Sequence, residues 1–185
     1  MTRSAALALP LARLLAEPPG SERTYSFDDI SIDLADDLTL AEPLRGRLRV
    51  ARTNRGVLTD GHFVAALRET CSRCLGPAVI PIELDIVEEA LPAIDLASGQ
   101  AVDRSTEPDV VRLTDHHELD LEPLLRDAVS LAEPIAPLCR ADCPGLCIDC
   151  GERLGSDHRA HDLDAVDPRL AALRAFKVDA APENE

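Results

Sequence analysis

The stretch LRGRLRVARTNRGVLTDGHFVAALRETCSRCLGPAVIPIELDIVEE, Leu44 to Glu89, decides the fold. Leu44, Gly46, Leu48 and Val50 alternate with Arg45, Arg47, Arg49 and Ala51. A period of two is the pattern of a half-buried strand, so one face is core and the other an arginine ladder. Asn54-Arg55-Gly56 reads as a turn. His62 to Thr70 reads as a second strand running into Cys71. Val79 to Glu89 returns as a third, with Ile80, Ile82, Leu84 and Ile86 on one face and Glu83 and Asp85 on the other. Cys71-Ser72-Arg73-Cys74 lies between these two strands. A C-x2-C pair is therefore expected at the tip of a long antiparallel hairpin.

Upstream, Ala6 to Leu9 suits a short edge strand ended by Pro10, and Leu11, Leu14 and Leu15 suit one face of a short helix stopped by Pro18-Pro19-Gly20. Asp28 to Leu34 alternates, with Ile30, Ile32 and Leu34 on one side, and predicts a further strand. Downstream, Pro92 to Asp109 is polar and aperiodic and reads as a flexible acidic loop. Val110 to Leu113 suits one more strand. Asp120 is placed to cap a helix whose apolar positions are Leu121, Leu124, Leu125, Ala128 and Leu131, with Pro123 tolerated in the first turn and Pro134 as the stop. Asp167 to Lys177 is amphipathic, with Leu170, Leu173 and Phe176 as its stripe, and the last eight residues read as a tail. The fold expected is α+β: an antiparallel sheet, with barrel-like closure allowed, one or two packed helices, and a small C-terminal Cys-rich zinc module. The expected divisions are a core over 1–138, the zinc module and amphipathic helix over 139–177, and a tail over 178–185.

Four of the six cysteines fall within twelve residues, CRADCPGLCIDC, as Cys139, Cys143, Cys147 and Cys150. The C-x2-C-G run ending at Gly151 has the form of a zinc knuckle, in which two thiolates converge on a metal and glycine permits the tight turn. With Cys71 and Cys74 repeating the spacing, the set points to a structural Zn2+ site. Disulfide exchange lacks the expected βαβ context, and disulfide stapling lacks a secretion signal. Two partitions stay open. Cys139, Cys143, Cys147 and Cys150 form one four-thiolate site, the arrangement the spacing favours, or Cys71 and Cys74 join Cys147 and Cys150 as a two-knuckle ribbon. His158 and His161, and the pair His116-His117, are further candidate donors, although exposed histidines are more often simply solvated.

The 185 residues carry a net charge of −15, which disfavours general binding to a phosphate backbone. The distribution is uneven: Arg45 to Arg73 has a local excess of +5, whereas Glu83 to Glu133 has −11. The first makes Arg45, Arg47, Arg49 and Arg73 candidate contacts for RNA or another partner, and the second suits a basic protein. Aromatic residues are 2% of the chain, too few for a base-stacking surface. Pro10 and Arg13 interrupt the apolar N-terminal run, so neither a signal peptide nor a membrane span is expected, and the location expected is cytoplasmic. No nucleophile elbow, phosphate-binding glycine loop or HExxH motif occurs, and four thiolates would close a zinc ion to substrate. The expectation is a protein that is not an enzyme.

The turn Cys71-Ser72-Arg73-Cys74-Leu75, the helix from Asp120-Leu121, the run PLCRADCPGLCIDCGERL and the ending DPRLAAL resemble the YceD family of bacterial and plastid proteins, over about residues 44 to 176. The Arg-rich, Lys-poor usage resembles its high-GC, actinobacterial members. The resemblance implies a non-enzymatic ribosome biogenesis factor that supports synthesis, processing or stability of 23S rRNA of the large subunit. It also implies an association with the gene for a zinc-bearing large-subunit ribosomal protein. The partners implied are large-subunit rRNA or its precursor, or a basic ribosomal protein. A thiol-redox or zinc-sensing regulator is the alternative, and it requires a reactive Cys71 or Cys74.

Overall fold

Alternation of apolar and charged side chains draws the middle of the chain into three long strands, and the shorter elements pack around them. The computed structural model describes residues 7–34, 38–95, 98–102, 107–155, 158 and 169–170. In chain order the elements are β1 (Ala8–Pro10), α1 (Ala12–Leu15), β2 (Glu22–Ile30), β3 (Thr39–Arg52), β4 (Val57–Thr70), β5 (Pro77–Leu91), β6 (Val111–Arg112), β7 (Glu118–Asp120) and α2 (Leu121–Ala132). The chain divides into two compact units, Met1–Cys143 and Pro144–Glu185, and all of these elements belong to the first.

The main sheet has the order β2-β3-β4-β5-β6, antiparallel throughout except that β6 runs parallel to β5 over two residues. β4 and β5 pair without a break from Val57↔Ala90 to Thr70↔Pro77. The reason is legible in the residues. Phe63, Leu67, Ile82, Leu84 and Ile86 must all stay on the core face, and a slip of one residue would turn every one of them outward. α2 lays Leu121, Leu124, Leu125 and Val129 into the core that these strands share. Each such large side chain, fully buried, contributes about 1.5–3 kcal/mol. Asp120 caps α2, its Oδ1 accepting from Glu122 N at 3.1 Å. The buried Thr59 is satisfied by donating to the Glu88 carbonyl at 2.9 Å. Beside this sheet, β1 and β7 form an antiparallel pair of their own.

The sheet is open, not a barrel: among the described residues β2 and β6 stand at opposite edges and neither meets the other. The second strand also begins earlier than alternation predicts. β2 spans Glu22–Ile30, drawn into pairing by the half-buried Tyr25 and Phe27, and a bulge after Phe27 takes Asp28 and Asp29 out of register. Ser31 to Leu34 lie beyond the strand, although Ile32 and Leu34 still pack on the core. Within the segment read as a flexible loop, Ile94 bridges Ala101, and Asp95 Oδ1 accepts from Ser98 N at 2.7 Å; residues 96–97 and 103–106 lie outside the described residues. The amphipathic stretch 167–177, apart from Arg169 and Leu170, and the tail 178–185 lie outside them as well.

Candidate functional site

At the β4–β5 tip the chain turns through Cys71 to Gly76. The N–H of Leu75 donates to the Cys71 carbonyl at 2.9 Å and the N–H of Cys71 to the Gly76 carbonyl at 2.8 Å. Leu75 takes φ +54° to make this turn. The segment that follows α2 comes back to this tip. Both the N–H and the hydroxyl of Ser72 donate to the Pro137 carbonyl at 2.8 Å, and Arg73 Nη1 donates to the Cys143 carbonyl at 3.0 Å. Cys139 and Cys143 are thereby carried to Cys71 and Cys74.

All four sulfurs lie within 4.8 Å of one another. Cys71 Sγ to Cys143 Sγ is 3.8 Å, as is Cys74 Sγ to Cys139 Sγ. A tetrahedral ion with Zn–S bonds of about 2.3 Å separates its sulfurs by about 3.8 Å, so the donor set and its spacing fit zinc. Three of the four cysteines are buried, and Ala78, Ile80 and Leu138 close the surroundings. Backbone N–H groups of Cys139 and Cys74 directed at Cys71 bring its thiol down to about 6, whereas the hydrogen bond with Cys143, together with burial, pushes Cys139 up to about 12. Thiolates gathered in such a buried group need a counter-charge, and a divalent cation supplies it.

In the second unit Cys147, Cys150 and His158 form another donor group, their ligand atoms also within 4.8 Å of one another. Spacing along the chain joined Cys139 and Cys143 to Cys147 and Cys150, or joined Cys71 and Cys74 to Cys147 and Cys150. The fold groups them otherwise. Cys139 and Cys143 go to the hairpin tip, because α2 and the Pro137 contact return the chain there. Cys147 and Cys150 turn on a knuckle of their own. Among the described residues His116 and His117 join neither group, and His161 lies outside the described residues.

The arginine ladder lies on the outer face of the main sheet. Arg49 is shared between Glu22 at 3.1 Å and Asp60 at 3.0 Å, and Arg45 stands 4.0 Å from Glu42. Arg47, also exposed, pairs in register with His62, and His62 Nδ1 meets Asp85 Oδ1 at 2.8 Å. Two strands from the ladder, β5 presents Glu83 and Asp85 to solvent on the same face, beside the exposed Val79 and Val87. Sequence reasoning separated a basic from an acidic segment. It missed that strand pairing lays the start of the acidic segment, Glu83 and Asp85, on the same sheet face as the ladder, with β5 next to the rim. No helix among the described residues is long and apolar enough to cross a membrane.

A family model described as large ribosomal RNA subunit accumulation protein YceD matches residues 59–177. A protein of Mycobacterium tuberculosis (strain H37Rv), described as uncharacterized, is 39% identical over 126 residues, which are 68% of this chain and 58% of that protein. One of Mycobacterium leprae, likewise described, is 32% identical over 141 residues, 76% of this chain and 62% of that protein. The chain thus spans about three fifths of the length of these relatives. No solved structure matches it.

Proposed function

The chain belongs to the YceD family of large ribosomal RNA subunit accumulation proteins, and from that membership we propose that it supports accumulation of 23S rRNA in the cytoplasm by binding, without catalysis, and that it holds a basic ribosomal protein. The observation that carries the choice of partner is the charge of the outer sheet face. Glu83 and Asp85 on β5 stand exposed on that face near the rim, where charged side chains also keep an edge strand from pairing with another copy. The ladder is less available to phosphate, since Glu22, Asp60 and Glu42 stand beside Arg49 and Arg45. Arg73 is engaged with the Cys143 carbonyl. The overall charge of −15 adds repulsion against RNA and attraction toward a basic protein. The four-thiolate group at the hairpin tip would hold Zn2+ in a closed site, which fixes structure and leaves no position for substrate.

Depleting the protein is expected to lower 23S rRNA relative to 16S rRNA, and a Glu83→Lys/Asp85→Lys variant is expected not to restore it. An Arg45→Glu/Arg47→Glu variant is expected to restore it. The reverse pattern would make RNA the ligand and overturn the choice of partner, and an unchanged rRNA ratio on depletion would remove the biogenesis reading itself.

A second reading, a thiol-redox or zinc-sensing switch, draws support from the lowered thiol of Cys71, 3.8 Å from Cys143. It requires fast alkylation of Cys71 or Cys74 in the zinc-filled protein, and slow alkylation counts against it.

A further inference from the structure

The turn at Cys147 repeats the turn at Cys71 bond for bond. In the first, the N–H of the residue four after the leading cysteine donates to that cysteine's carbonyl, and the cysteine's own N–H donates to the carbonyl five residues on. In the second, Gly151 N donates to the Cys147 carbonyl at 2.9 Å and Cys147 N to the Glu152 carbonyl at 2.7 Å. The residue four after the leading cysteine has positive φ in both, +54° at Leu75 and +74° at Gly151. A bridge between Leu146 and Arg153 closes the second turn as a miniature hairpin, and Leu154 N donates to the Gly145 carbonyl at 2.9 Å. This backbone points both sulfurs of a C-x2-C pair the same way, which is its use at a metal. His158 completes the juxtaposition, with Nε2 3.3 Å from Cys150 Sγ. The tetrahedral S–N edge at a zinc ion is about 3.6 Å, so a shift of a few tenths of an ångström would seat the ion.

We infer that Cys147, Cys150 and His158 form a second, separate zinc site, so that the full chain binds two ions of unlike character. The first, at Cys71, Cys74, Cys139 and Cys143, has four thiolates and is closed. The second has two thiolates and one imidazole, and its fourth position is left for a further donor. Three donors hold an ion less firmly than four, and Cys150 is exposed whereas Cys71 is fully buried. The second ion is therefore the first to leave.

The test is metal content and cobalt(II) spectroscopy on the full chain. Wild type is expected to bind two equivalents, the one at Cys147, Cys150 and His158 released by a chelator at least tenfold faster than the one at the four thiolates. A Cys147→Ser/Cys150→Ser variant is expected to bind one, retaining the cobalt charge-transfer signature of four thiolates; that retained signature also reports that the larger unit still folds. His158→Asn is expected to weaken the second equivalent at least tenfold and to change its visible cobalt bands while leaving the four-thiolate signature alone. One equivalent in wild type would overturn the inference. So would two equivalents in the Cys147→Ser/Cys150→Ser variant, or an unchanged second site in His158→Asn.

Discussion

Leu75 holds φ +54° in a position whose counterpart in the other knuckle is Gly151 at φ +74°. A left-handed conformation costs a residue with a Cβ about 1–2 kcal/mol, and glycine almost nothing. Leu75 is also 65% exposed, so its side chain contributes little packing in return. Leu75→Gly is expected to stabilise the folded chain by up to about 1 kcal/mol, the gain being reduced by the greater freedom of glycine in the unfolded state, whereas Gly151→Ala costs about 1 kcal/mol. Thermal unfolding for the first and competition with a zinc chelator for the second would check this, and a lower melting temperature for Leu75→Gly would contradict it. The ion pair of His62 and Asp85 gives a pH signature. The hydrogen bond that His62 Nδ1 donates to Asp85, helped by the charges of Asp85 and Glu83, raises the His62 pKa above 6.5 against desolvation. A raised folded value means that the pair contributes fully below pH 6.5 and is lost as pH rises through the folded pKa. NMR titration is expected to show Asp85→Asn bringing the imidazole back toward 6.5, and an unmoved titration would exclude the pair. Both side chains are exposed, so the effect on stability is small. The two C-x2-C pairs and the glycine of the second were plain in the residues. The partners of each pair were not, because sequence spacing cannot show that Ser72 will meet the Pro137 carbonyl.

Strands β2, β3 and β4 meet in the row Phe27–Gly46–Phe63, where the glycine leaves room for two aromatic rings. The ring centroids are 5.9 Å apart and tilted by 40°, within the favourable range for an aromatic pair. A Cβ at Gly46 would fall 2.3 Å from the His62 carbonyl oxygen and 2.6 Å from Phe63 Cδ1, so backbone would have to move. Gly46→Ala is expected to cost about 2–3 kcal/mol, as overpacking does. Gly155→Ala, with nothing within 4 Å, should change stability by less than about 0.5 kcal/mol. Denaturant melts of the two variants would separate these outcomes, and equal midpoints would refute the crowding argument. The elements most legible beforehand were β3, β4, β5 and α2, where a single buried face imposes a clean period. β2 was displaced because its burial rests on two half-buried aromatic residues interrupted by a bulge. β7 was invisible because three residues carry no period, and it is defined by pairing with β1.

Across the whole chain the four-cysteine group at the hairpin tip would, with an ion bound, act as a staple. It would tie Cys74 to Cys139, 65 residues apart, and between them lie the whole of β5, β6, β7 and α2. That long separation is why the grouping escaped the sequence. It is also why a bound ion matters for stability. Closing a loop of this length by a covalent link would remove about 4 kcal/mol of unfolded-state entropy at room temperature, and a metal that binds only the folded state acts in the same direction. For a chain of this size, each kcal/mol shifts the melting temperature by about 2–4 °C. Removing zinc with a chelator under reducing conditions is therefore expected to lower the melting temperature of the larger unit by about 10 °C, and zinc added back should restore it. A Cys71→Ser/Cys139→Ser variant should begin at the lower temperature and no longer respond to the chelator. If the wild-type melt is unchanged by chelation, the quartet is a cluster of reduced thiols, not a metal staple, and the core formed by β3, β4, β5 and α2 holds the tip without help.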